Sequence, residues 1–192
     1  DVTTTTISRN QHGCAARRVA EAGLADRVTV LQQDYRDLQG TYDKLLSCEM
    51  IEAVGARFLP TYLQVCAQRL RPGGVLGLQA ITIAHQHYAE ALRTVDYIRR
   101  HVFPGSFIPS IQAIADAASA HTDLRLEYCE DFGQHYATTL QHWRATVLGS
   151  PGPFLRRGGE ALVRAWEYYF AYCEAGFRER HIGVAHLRFR KA

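Results

Sequence analysis

GLADRVTVLQQDYRDLQGTYDKLLSCEMIEAVG, residues 23–55, reads as strand, polar turn, strand, and then carboxylates at the strand's far end. In an open parallel sheet, ligands bind outside the carboxyl ends of the strands. Asp34, Tyr35, Cys48, Glu49 and Glu52 all fall at such ends. The stretch therefore predicts a cofactor site beside a catalytic acid.

Working outward, residues 2–7 are rich in β-branched side chains and predict a strand. Ser8 or Asn10 can cap a helix over residues 11–22, which Gly23 ends. Strands are expected at 28–31, 42–47 and 75–83, with a helix over 58–70 stopped by Arg71-Pro72-Gly73-Gly74. Strands alternating with helices indicate βαβ units and a parallel sheet. Beyond residue 83 the character changes, to a helical and aromatic stretch over 84–121, a strand at 124–129 and a helix at 134–147. The SPGP segment reads as a loop, residues 159–180 as a helix with a dense aromatic face, and 186–190 as a closing antiparallel strand.

At 192 residues the chain suits one domain. With 47% hydrophobic residues and a net charge of +3, neither disorder nor a nucleic-acid partner is implied. No apolar run reaches the roughly 18 residues of a spanning helix. Five scattered cysteines, without a CxxC pair, are expected to be buried free thiols, and no metal site is expected.

Taken together, TTTTISRNQH (3–12), DRVTVLQQDYRDL (26–38), YDKLLSCEMIEAVG (42–55), RPGG (71–74) and QAITI (79–83) resemble a class I S-adenosylmethionine-dependent methyltransferase. DYIRRHVFPG (96–105), EDFGQHYATTLQHW (130–143) and YCEAGFRERHIG (172–183) narrow the resemblance to the cyclopropane-fatty-acyl-phospholipid synthases, including the mycolic acid cyclopropane synthases. The resemblance implies an α/β Rossmann-like fold, its sheet mostly parallel with an antiparallel C-terminal strand. It implies a single domain over 1–192 with a helical acyl-binding insertion at about 84–121. The first strand and glycine-rich loop are expected upstream of Asp1, so the isolated chain is expected to be inactive or nearly so.

The resemblance also implies roles. Thr6, Ile7, Gln11, Asp34, Tyr35 and Cys48 match positions around the adenosine of S-adenosylmethionine. Glu52, Gln79, Ile81 and Tyr136 match the positions that hold a bicarbonate, the base that removes a proton after methyl transfer to an alkene. Glu52 would orient the bicarbonate, Gln79 and Tyr136 would donate to it, and Ile81 would offer its backbone N–H. On spacing alone, Glu52 reads rather as a carboxylate favoured at a helix N-terminus. The aromatic stretch 166–177 could line an acyl tunnel or form plain core, and Arg99, Arg100, Arg178 and Arg180 could meet lipid phosphates. Ala53 and Gln79 stand where many family members have histidine.

The implied reaction forms a cyclopropane ring on an unsaturated phospholipid, at the inner face of the membrane, by a cytoplasmic protein with peripheral contact. A methyl-branched product, or a non-catalytic homologue, is the alternative. An exposed sheet edge where the first strand belongs would favour pairing, for example as a homodimer.

Overall fold

The computed structural model describes all residues, 1–192, as two compact units, Asp1–Tyr42 and Asp43–Ala192. In the first unit β1 (Val2–Thr6), α1 (Arg9–Glu21) and β2 (Val28–Gln32) make a βαβ crossover. β1 and β2 pair in parallel, Val2 opposite Val28 and Thr6 opposite Gln32. The Ser8 hydroxyl caps α1 by accepting from the Gln11 N–H, and Gly23 follows it at φ +66°. A 3-10 turn, Tyr35–Asp37, follows β2.

The second unit runs β3 (Tyr42–Cys48), α2 (Ile51–Val54), α3 (Leu59–Gln68) and β4 (Leu70–Ile83). It continues with α4 (His85–Arg93), α5 (Tyr97–His101), α6 (Ile111–His121), β5 (Leu124–Asp131), α7 (Gly133–Gly149), α8 (Gly152–Arg178) and β6 (Ile182–Lys191). Its sheet has the order β3-β4-β6-β5, with β6 antiparallel to both β4 and β5. The sheet is thus mixed, and its C-terminal strand runs antiparallel as expected. The last strand inserts between two earlier ones, where it must run against both.

Alternation in β4 and β6 explains the layering. Leu76, Leu78 and Ala80 of β4 are buried, as are Leu187 and Phe189 of β6, while His186, Arg188 and Arg190 are exposed. Tyr62, Leu63, Cys66, Ile114 and Ala118 of α3 and α6 are buried with them, and the Tyr62 hydroxyl donates to Ser47 Oγ at 2.7 Å. A second cluster joins Ala137, Leu140 and Val147 of α7 to Phe170 and Phe177 of α8 and Val184 of β6. Lys191 Nζ donates to the carbonyls of Ala67 and Leu70, satisfying the C-terminal end of α3.

Several local expectations are revised. Arg71-Pro72-Gly73-Gly74 lies inside β4, with α3 already ended at Gln68. The SPGP segment opens α8, because proline is well suited to a first helical turn. α8 breaks at Gly158 and Gly159. Of the cysteines only Cys66 is buried; Cys14, Cys48 and Cys129 are exposed and Cys173 is half-buried. No helix is long and apolar enough to cross a membrane.

Candidate active site

In the first unit the parallel pair β1 and β2 ends at Thr6 and Gln32, and its carboxyl end gathers five of the six expected cofactor residues. Thr6 Oγ1 donates to Gln11 Oε1 at 2.7 Å, tying the strand end to the first turn of α1. Ile7 is 75% exposed. Asp34 is gripped by Arg36, whose Nε and Nη2 donate to its two oxygens at 2.9 and 2.8 Å. That ion pair holds the Asp34 carboxyl at about 2, well below the usual range. Tyr35 is half-buried, with the Arg36 guanidinium 5.9 Å from its ring centroid. The sixth residue, Cys48, closes β3 in the second unit and is exposed.

The second unit brings Glu52, Gln79, Ile81 and Tyr136 together around a residue to which the sequence reading gave no role, Glu49. Where β3 ends, Glu49 takes φ +51°, a left-handed conformation that non-glycine residues seldom adopt. Its N–H donates to the Gln79 carbonyl at 2.9 Å, anchoring it beside β4. Gln79 Nε2 donates to Glu49 Oε1 at 2.7 Å, and the Tyr136 hydroxyl donates to Oε2 at 3.0 Å. His186 of β6 extends the chain of contacts, its Nε2 2.9 Å from Gln79 Oε1.

Glu52 is held differently. The Ile81 N–H donates to its Oε1 at 2.6 Å, while Oε2 is buried without a hydrogen-bond partner. Burial, helped by the neighbouring Glu49 charge, pushes the Glu52 carboxyl up to about 7. A neutral carboxyl suits the orphaned oxygen better than an anion would.

Aromatic rings complete the surroundings. Tyr136 stacks on Phe177 with centroids 4.8 Å apart and meets Trp143 edge-on at 6.3 Å. Burial raises the Tyr136 phenol well above its ordinary value, and the adjacent Glu49 charge adds to this, so it remains a donor. The aromatic stretch of α8 divides into two faces. Trp166, Tyr169 and Phe170 pack with α7 as core, while Tyr168 lies against Tyr97 of α5, centroids 4.6 Å apart. Two of the arginines also have structural work: Arg99 Nη1 donates to the carbonyls of Ala91 and Leu92 at the end of α4, and Arg178 pairs with Glu174 at 2.8 Å.

The sequence model of the mycolic acid cyclopropane synthetase family matches residues 1–187. The chain belongs to that family. It is 42% identical over 180 residues to tuberculostearic acid methyltransferase UfaA1 of Mycobacterium tuberculosis, covering 93% of this chain and 42% of that protein. It is 32% identical over 186 residues to the cyclopropane-fatty-acyl-phospholipid synthase of Escherichia coli K12, covering 97% of this chain and 46% of that protein. The chain therefore spans less than half the length of these relatives. Mycolic acid cyclopropane synthase CmaA1, solved with SAH and CTAB, shares the fold: TM-score 0.90 at 24% identity, over 100% of this chain and 70% of that one.

Membership in the mycolic acid cyclopropane synthetase family makes S-adenosylmethionine the cofactor against which the site is compared. The first unit offers a donor set that fits the adenosine of that cofactor, with the Gln11 amide and Thr6 hydroxyl able to meet ribose and Tyr35 able to meet adenine. Asp34, saturated by Arg36, contributes by shaping the turn. Bicarbonate fits poorly. Both side-chain donors expected for it, Gln79 and Tyr136, already serve Glu49, and the Ile81 N–H serves Glu52. No lysine or arginine forms an ion pair with either carboxylate. Like charges about 4 Å apart repel by about 4 kcal/mol at an effective dielectric of 20, so a further anion would be opposed here.

Proposed function

We propose that the protein containing this chain transfers the methyl group of S-adenosylmethionine to the double bond of an unsaturated lipid acyl chain and yields a methyl-branched product. The observation that carries this reading is the Glu49, Gln79 and Tyr136 cluster set among aromatic rings. When bound, the cofactor supplies an electrophilic methyl on sulfur. Thr6, Gln11 and Tyr35 hold its adenosine.

Alkylating an alkene leaves a carbocation, which must lose a proton. The site therefore needs a base within an otherwise apolar wall. Tyr136 presents a π face that stabilises the cation while its hydroxyl keeps a carboxylate oriented. Direct proton loss from the added methyl closes a cyclopropane; loss from the same methyl after a hydride shift to the first cationic carbon leaves a methylene branch. A saturated branch needs a hydride and a proton besides, from a separate reductant.

Similarity favours branching, at 42% identity to the tuberculostearic acid enzyme against 32% to the cyclopropane synthase. Cyclopropanation is the second reading, supported by the family as a whole. The lipid would be a membrane phospholipid, reached from the cytoplasmic surface, with the helices of residues 84–121 contributing to acyl binding.

The test is product analysis of membrane lipids from cells expressing the full-length protein. A branch carbon, read by proton NMR, is expected in acyl chains gaining one carbon. Ring and methylene branch have equal mass, so NMR must separate them, whereas a saturated branch is two hydrogens heavier. Upfield cyclopropane protons would replace this reading with the second, and unaltered acyl chains would refute both.

A further inference from the structure

We infer that the Glu49 carboxylate is a base built into the protein, standing where the family resemblance places a bicarbonate. The inference rests on the proposed methyl transfer to an alkene and names the proton acceptor for it. Three independent observations converge on Glu49.

The first is its ligand set. Gln79 Nε2 and the Tyr136 hydroxyl, the two side-chain donors that the resemblance gives to bicarbonate, both reach the Glu49 carboxylate, one to each oxygen. A carboxylate and a bicarbonate present the same planar pair of acceptor oxygens. The protein has therefore filled the anion's place with its own group.

The second is the backbone. Glu49 adopts φ +51° at the end of β3, a conformation that is unfavourable for a residue bearing a Cβ. Strain of this kind persists where the surroundings fix it, and it clusters at functional sites. Here the turn puts the carboxylate between β4 and α7.

The third is the division of labour with Glu52. The Ile81 N–H is taken by Glu52 Oε1, whose other oxygen is buried without a partner, whereas both oxygens of Glu49, three residues away, accept side-chain hydrogen bonds. Two groups in such contrasting settings can take different roles.

The step balances without another reagent. The π pair of the alkene forms the new C–C bond to the methyl as its C–S bond breaks. The resulting cation gives one proton to Glu49, and the C–H electron pair closes the ring or forms the branch double bond. Glu49, half-buried, then releases that proton to water.

The experiment uses the full-length protein and its Glu49→Gly variant. Glycine accepts φ +51° readily, so the variant removes the carboxylate and relieves the backbone. Carbon-13 bicarbonate is titrated into each and followed by NMR. No saturable binding is expected to the native protein, and binding is expected to appear in Glu49→Gly, where Gln79 and Tyr136 are freed. Saturable binding to the native protein would overturn the inference whether or not methylated lipid is ever formed.

Turnover in carbon-dioxide-free buffer gives the second readout. The native rate should be unchanged by added bicarbonate. Glu49→Gly should fall by about a hundredfold or more and recover in part with bicarbonate or formate. Glu49→Gln should fall likewise but resist rescue, because its amide still fills the space. Full activity of Glu49→Gly without bicarbonate would exclude Glu49 as the base. If the native protein methylates nothing, the proposed reaction fails, and the binding titration still decides what occupies the site.

Discussion

The two carboxyls of the SCEMIE segment show how far residue identity alone can carry a prediction. Glu52 is neutral up to about pH 7, because burial disfavours its anion. In the unfolded chain the same group ionises near 4.5. Its folded-state pKa is raised, so its stabilising contribution is complete below pH 4.5 and is lost as pH climbs through 7. The loss is on the order of 3 kcal/mol at 1.36 kcal/mol per unit. Glu52→Gln keeps an oxygen for the Ile81 N–H but cannot ionise. Urea denaturation at pH 5 and pH 8 should show a smaller difference for the variant than for the native protein; equal differences would mean that Glu52 is ionised throughout. The sequence marked Glu52 through the resemblance, yet it left Glu49, three residues earlier, without a task. The pair of acids was visible in the string, but the left-handed turn at Glu49 depends on β4 and α7 closing around it. Neither contact has a local signature.

Elements were more legible than their arrangement. Periodicity located every strand and the larger helices, since alternation in β6 and the 3.6-residue spacing in α3 are local properties. The order β3-β4-β6-β5 was hidden, because which gap a last strand enters is decided by packing across the whole sheet. The break in α8 was hidden as well. SPGP and the two glycines read as punctuation, whereas the structure uses the proline to start a helix and the glycines to bend it. Gly159 sits at φ +64° and ψ −164°, a region open essentially to glycine alone. A Cβ added there would meet nothing within 4 Å, so Gly159→Ala tests backbone strain free of any clash. It should destabilise by about 1–3 kcal/mol in thermal or urea unfolding. An unchanged midpoint would show that the bend tolerates an ordinary backbone.

At the scale of the molecule, burial is unevenly divided. No residue of Asp1–Tyr42 is buried, whereas the core begins at Ile51 and runs to Phe189. The first unit therefore depends on the five paired residues of β1 and β2, one amphipathic helix and its Ser8 cap. A two-stranded sheet with one helix removes little apolar surface from water, and burial is the main stabilising contribution available. Local opening free energies follow such differences, from near zero in poorly packed segments up to the global value in core strands. Hydrogen exchange on the 192-residue chain should accordingly show Val28–Gln32 amides exchanging well before those of β6, where Val184, Ala185, Leu187 and Phe189 are buried. The functional consequence is that the proposed cofactor residues Thr6, Gln11 and Tyr35 lie on the less protected unit, while Glu49, Gln79 and Tyr136 lie on the better protected one. S-adenosylhomocysteine added to the full-length protein should then slow exchange most at β1 and β2, because ligand binding stabilises a weakly held segment in proportion to its occupancy. Equal protection of both units in the isolated chain would instead mean that the 192 residues open as one cooperative body, with Asp1–Tyr42 stabilised by more than its own packing.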